Sequence, residues 1–154
     1  MPLPYSKATS GKGAMNEVQK ILQSFGATSF GCMENFEDGT LTVQFMWRER
    51  RVTINANAKG YAAALMREKP FTTRMRGSKA QYEAKCLKQG QIAVYSILRD
   101  WIKGQVTAVE VGMLSFEGAF LGQILLPNGG TILELVEREN LLALPSADEK
   151  GRTG

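Results

Sequence analysis

Seven basic side chains fall into two groups in the middle of the chain. Arg48, Arg50 and Arg51 stand together, and Lys69, Arg74, Arg76 and Lys79 follow, with Phe71 and Tyr82 interleaved. A guanidinium presents paired N–H donors that grip a phosphate through two parallel hydrogen bonds. An aromatic ring offers a face on which an unpaired base can stack. Basic and aromatic residues mixed in this way are the ingredients of nucleic-acid binding, whereas charge alone does no more than hydrate a surface. The acidic residues lie elsewhere. From Arg48 to Lys88 there are 11 Lys/Arg against 3 Asp/Glu, a net +8, and from Gly104 to Glu149 there is 1 against 7, a net −6. The whole chain carries only +4. Such asymmetry has two explanations: an anionic partner for the basic segment, or two regions that face each other in the fold or across an oligomer contact.

The remaining inventory narrows the chemistry. There is no histidine, which removes Ser–His and Cys–His nucleophilic pairs. Two cysteines, Cys32 and Cys86, cannot supply a four-thiolate zinc site. Both lie in apolar stretches and are expected as buried thiols behaving as small hydrophobes. The carboxylates Glu34, Glu37, Asp38, Asp100, Glu110 and Glu117 are scattered, while a metal-dependent nuclease needs two or three converging on a cation. Asp100 and Glu110 would stand about 15 Å apart along one helix, so only a site completed by Glu34 or Glu117 stays open. The run Thr9-Ser10-Gly11-Lys12-Gly13 has the composition of a phosphate loop without its spacing, and no strand precedes it. It reads as a lead-in with a helix cap. No catalytic residue, metal site or cofactor is assigned, and the chain is read as non-enzymatic.

The elements that must position these residues follow from periodicity. A chain of 154 residues suits one domain, and its 44% hydrophobic content is near the globular norm of ~45–50%. Residues 1–12 are expected as a flexible arm, 13–144 as a single α+β domain, and 145–154 as a disordered tail. The first helix is expected over 13–25, with Val18, Ile21, Leu22 and Phe25 on one stripe, Ser10 as cap and Gly26 as stop. Strands are expected at 29–36, 40–48 and 51–57, the first two joined at Asp38-Gly39. In the second, Leu41, Val43, Phe45 and Trp47 alternate with Thr42, Gln44, Met46 and Arg48. In the third, Val52, Ile54 and Ala56 alternate with Thr53, Asn55 and Asn57. A period of two means one buried and one wet face, hence an antiparallel three-stranded meander covered on one side by helices. A short helix is expected over 60–67 and a loop over 68–77. Ser78 with Gln81 then makes a capping box that opens a long helix ending near Gly112, packed on the sheet through positions such as Cys86, Val94, Leu98 and Ile102. Gly90 and Gly104 inside it cost about 1 kcal/mol each relative to alanine, which implies close packing, a kink or a break. Short helices over 115–121 and 131–139, the latter begun by Thr131 and Glu134, complete the domain. Trp47, Trp101, Phe116 and Phe120 are expected in the core. The stretch 113–126, rich in apolar residues and glycine, is a candidate self-association surface.

No apolar run approaches the ~18 residues of a membrane span, and the first residues lack the hydrophobic block of a signal peptide. The expectation is a cytoplasmic protein with no membrane partner, and two cysteines suit that setting. Segment 95–134 resembles a family of small proteins of unassigned activity encoded by tailed bacteriophages and prophages. The resemblance is carried by Trp101-Ile102-Lys103, Glu110-Val111-Gly112, Phe116-Glu117, Phe120-Leu121 and Leu126-Pro127-Asn128-Gly129. It implies a phage or prophage origin, a bacterial host cell, and a setting among replication, recombination or host-takeover genes. The order helix–strand–strand–strand–helix is also similar to that of the double-stranded-RNA-binding domain, but this chain lacks that family's loop histidine and lysine-rich helix start, so none of its residues carry over. The leading expectation is an accessory protein binding DNA or RNA through Arg48, Arg50, Arg51, Lys69, Arg74, Arg76 and Lys79, with Phe71 or Tyr82 stacking. The alternative is a protein–protein module that binds itself or inhibits a host enzyme. A carboxylate-dependent nuclease comes third.

Overall fold

The computed structural model describes residues 2–145. Ser10 starts helix α1 (Gly11–Phe25): its hydroxyl accepts from Gly13 N–H at 3.0 Å, satisfying a donor that the first turn leaves open. Val18 and Leu22, one turn apart, are fully buried. Gly26 closes the helix at φ 105°, a left-handed backbone that a Cβ disfavours.

Strands β1 (Ser29–Glu34), β2 (Thr40–Trp47) and β3 (Arg50–Asn57) form an antiparallel sheet in the order β1-β2-β3. Cys32 faces Val43 and Val43 faces Ile54 across the ladders. That register gathers Leu41, Val43, Phe45, Val52 and Ile54 on the face that joins Val18, Leu22, Leu98 and Ile102 in one core. A slip of one residue would turn all of them outward, so burial pins the register. β1 ends at Glu34, short of the expected 36, because Asn35 begins the turn by accepting from Glu37 N–H at 2.9 Å. The outer face is not uniformly wet: Thr53 is buried, and its hydroxyl lacks a hydrogen-bond partner.

Helix α2 (Lys59–Glu68) leads through a loop to α3 (Lys79–Glu110). The capping box at the start of α3 is complete: Ser78 Oγ accepts from Gln81 N–H at 3.2 Å, and Gln81 Oε1 accepts from Ser78 N–H at 2.9 Å. α3 runs 32 residues without a break, so neither glycine interrupts it. At Gly90 an added Cβ would lie 3.0 Å from the Ala58 carbonyl oxygen and 3.3 Å from Ala62 N; α2 packs against α3 where the side chain is missing. Gly104 faces open space.

α3 lies along the length of the sheet. Its Leu87 and Gln91 adjoin Gly39 in the β1–β2 turn, while its Trp101 meets Phe120 edge-on at 5.7 Å. Phe120 belongs to α4 (Phe116–Phe120), which Ser115 caps and whose two phenylalanines are buried against Phe45. After one 3-10 turn, Leu121–Gln123, the chain runs beside β3: Ile124 bridges Val52, and Leu125 N–H donates to the Arg51 carbonyl at 2.7 Å. This covers part of an edge that would otherwise expose unpaired backbone groups. α5 (Ile132–Arg138) follows, capped by Thr131.

Three expectations need correction. The arm assigned to 1–12 is shorter and anchored: α1 begins at Gly11, and five hydrogen bonds tie residues 3–8 to α2 and α3. Tyr5 donates to Asp100 at 2.6 Å, and Gln89 donates to the carbonyls of Ser6 and Ala8. Proline and small polar residues suggested mobility, but Tyr5 and the backbone carbonyls around it find partners far along the chain. Cys32 is exposed at the sheet margin, because β1 is an edge strand; Cys86 is buried. Trp101 is 36% exposed, since only one side of its ring meets Phe120. Trp47, Phe116 and Phe120 do join the core packing. Of the expected tail, 145–154, only Pro145 lies among the described residues.

Candidate nucleic-acid interface

The first basic group sits on the β2–β3 hairpin. Arg48 and Glu49 make its two-residue turn at φ 44° and 66°, the geometry normally met by Asn-Gly. Two residues with Cβ atoms in the left-handed region are a local strain. Arg48 lies over the Trp47 ring, 4.5 Å from its centroid, and Trp47 also stacks on Phe25 at 5.0 Å and Phe116 at 4.4 Å. Arg50 Nε lies 3.5 Å from Glu117 Oε1. Two of the three arginines therefore have intramolecular partners, and Arg51 is exposed.

The second group is built differently. Lys69, Arg74 and Arg76 are exposed on the loop before α3, and Lys79 is exposed as the first residue of α3. Among the described residues the ion pairs involve Arg50, Arg99 and Arg138 and none of these four. Tyr82 fastens the loop to the helix, because its hydroxyl donates to the Lys69 carbonyl and its ring packs on Phe71 at 5.9 Å. Burial, followed by the neighbouring Cys86, pushes the Tyr82 phenol up.

The two groups do not converge. Arg48, Arg50 and Arg51 stand at the α4 end of the sheet, and the loop lies past the opposite end, where Gly39 meets Leu87. The eight residues of β3 separate those ends by about 25 Å, and the helix from Leu87 back to Lys79 adds about 12 Å. Proximity along a chain says nothing about which end of a sheet each segment reaches.

Two lysines missed in the sequence belong with the second group. A groove of about 840 Å³ runs between α2 and α3, and Lys69, Lys85 and Lys88 lie on it beside Tyr82, Leu65 and Ile92. The signal was available in helical spacing: Tyr82, Lys85 and Gln89 recur at three and four residues and so share a face.

The ends of α3 are charged in the sense that opposes helix stability. Lys79 opens it with no acid in the first turn, and Glu110 closes it with no base in the last. A helix dipole favours the reverse by ~0.3–1 kcal/mol per charge. Its positive end therefore adds to the field of the loop cations. The acids Glu117, Glu134, Glu137 and Glu139 lie on or next to α4 and α5, and α4 packs beside the C-terminal half of α3, where Gln105 donates to the Ala119 carbonyl.

The carboxylates do not gather. Asp100 accepts from Tyr5 and from Arg99 at 3.0 Å, and these two bonds hold its carboxyl below the usual range. Glu117 is engaged by Arg50. Among the described residues no three His, Cys, Asp or Glu side chains are grouped to hold a metal ion. Near the sheet margin, burial first, then Glu34 and Cys32, push the Tyr95 phenol up to about 12. No described helix is long and apolar enough to cross a membrane. A scan against protein-family models finds no match, and searches of curated proteins and of solved structures find none either.

Proposed function

We propose that this is a non-enzymatic accessory protein of phage type that binds nucleic acid in a bacterial cytoplasm through the basic end of α3. Lys69, Arg74, Arg76 and Lys79 hold phosphates, while Tyr82 and Phe71 fix the loop that carries them. One observation supports this reading: four exposed cations have no acidic partner among the described residues and crowd the positive end of a 32-residue helix. That arrangement works against the fold and in favour of an anionic ligand. Arg48 and Arg50, each with its own partner, have at most a secondary part.

The test is fluorescence anisotropy of labelled oligonucleotides over a salt series. Affinity should fall with log–log slope near −0.7 to −0.9 per phosphate contacted, so about −3 for four cations. Arg76→Glu with Lys79→Glu should cut that slope by roughly two. Absence of binding at ~50 mM salt and micromolar protein removes the reading, since electrostatic binding is strongest there.

A second reading has its own observation. Val111, Met113, Leu141, Leu142 and Leu144 are exposed in the C-terminal third, with Leu142 and Leu144 at 85% and 89%. Exposed apolar residues in number mark association surfaces, which favours a protein–protein module binding a second copy or a host protein. Light scattering that reports a monomer at every concentration excludes self-assembly. A lysate pulldown that enriches nothing speaks against a host partner.

A further inference from the structure

The groove between α2 and α3 is not shaped for phosphate alone. Leu65 and Ile92 give it apolar walls, the buried Cys86 also lines it, and Tyr82 borders it with a hydroxyl already engaged. Three lysines, Lys69, Lys85 and Lys88, edge it. The one acid there, Glu68, accepts from Leu3 N–H at 3.2 Å. A volume of about 840 Å³ lies within the ~300–1,000 Å³ range of small-ligand sites. An apolar interior under a cationic rim is complementary to a flat apolar group that carries a phosphate.

We infer that this groove accepts an unpaired nucleobase, so the ligand class is single-stranded nucleic acid; this rests on the nucleic-acid reading above. In a duplex the base faces are stacked on one another and cannot enter a groove between two helices. In a single strand a base turns out at the cost of local stacking alone, and an aromatic wall replaces part of what is lost. The lysines of the rim then lie beside the flanking phosphates. Gly90 makes the arrangement possible: without a side chain there, α2 approaches α3 closely enough for Leu65 and Ile92 to line the same groove.

The experiment compares four labelled 15-mers on the full chain at one salt concentration: oligo-dT, oligo-U, a mixed-sequence duplex, and a strand of abasic residues. The abasic strand keeps every phosphate and lacks every base. Oligo-dT or oligo-U should bind at least about tenfold more tightly than both the duplex and the abasic strand, the scale of one stacked base. Ile92→Trp, which fills the groove without touching the loop cations or Tyr82, should erase that advantage while leaving duplex binding in place. Equal affinity for all four, or preference for the duplex, overturns the base-accepting groove and leaves phosphate binding standing. No binding by any of them overturns the nucleic-acid reading itself.

Discussion

Gly90 and Gly104 occupy the same helix, and alanine at the two sites should change stability in opposite directions. In an exposed helix interior, glycine to alanine gains about 1 kcal/mol, because alanine loses less backbone entropy on folding. Gly104 has nothing within 4 Å of the new Cβ, so Gly104→Ala should realise that gain in full. At Gly90 the same methyl meets the Ala58 carbonyl oxygen at 3.0 Å and Ala62 N at 3.3 Å. Both are backbone atoms at the start of α2 and cannot rotate away. Overpacking of this kind costs ~1–3 kcal/mol, and subtracting the helix gain leaves Gly90→Ala destabilised by ~0–2 kcal/mol. The two variants should therefore differ by ~1–3 kcal/mol. For a chain of this size that is ~2–12 °C in melting temperature, at ~2–4 °C per kcal/mol. Urea titrations followed by circular dichroism and fluorescence read the difference directly. If Gly90→Ala is as stable as Gly104→Ala, α2 does not lie against α3 at that point, and the groove between them goes with it.

Three further outcomes follow from the same structure. Lys79→Glu should raise stability by ~0.3–1 kcal/mol by relieving the unfavourable charge at the helix start, while weakening oligonucleotide binding; a variant that loses both stability and binding would contradict the dipole reasoning. Glu49→Gly should raise the melting temperature by roughly 2–4 °C, because glycine meets the φ of 66° at the second turn position without steric cost; a lower melting temperature would refute the turn geometry. The folded chain holds the Tyr95 proton to about pH 12, whereas an unfolded tyrosine releases it near 10. Across that interval the unfolded state binds fewer protons, so stability that is complete below pH 10 is lost as pH rises toward 12. Melting temperatures in steps over this range should fall, and Tyr95→Phe should fall less steeply; Tyr5, Tyr61 and Tyr82 shift the same way, so some slope remains.

Local rules carried much of the fold. Alternation in β2 predicted which side chains point inward, and the Ser78–Gln81 pair located the start of α3 to the residue. Both depend on neighbours within a few positions. Long-range facts were not legible. Gly90 and Gly104 look alike in a sequence, and only the position of α2 separates them. Cys32 sits in an apolar run yet lies on an edge strand, and strand order decides that. Tyr5 gave no local hint of its partner Asp100, 95 positions away. The candidate site followed the same pattern: residue types were readable, but whether Arg48 and Arg76 share a surface depends on how α3 lies along the sheet.

A helix of 32 residues, about 48 Å long, with cations gathered at its head and Glu110 at its foot turns in an electric field. A polyanion that comes within roughly a Debye length, ~8 Å at physiological salt, exerts a torque on the molecule before it makes a contact. If the ligand is the nucleic acid proposed above, Lys79 and its neighbours would swing toward the strand and Glu110 away from it. Collisions then arrive pre-aligned, which raises the productive fraction of encounters.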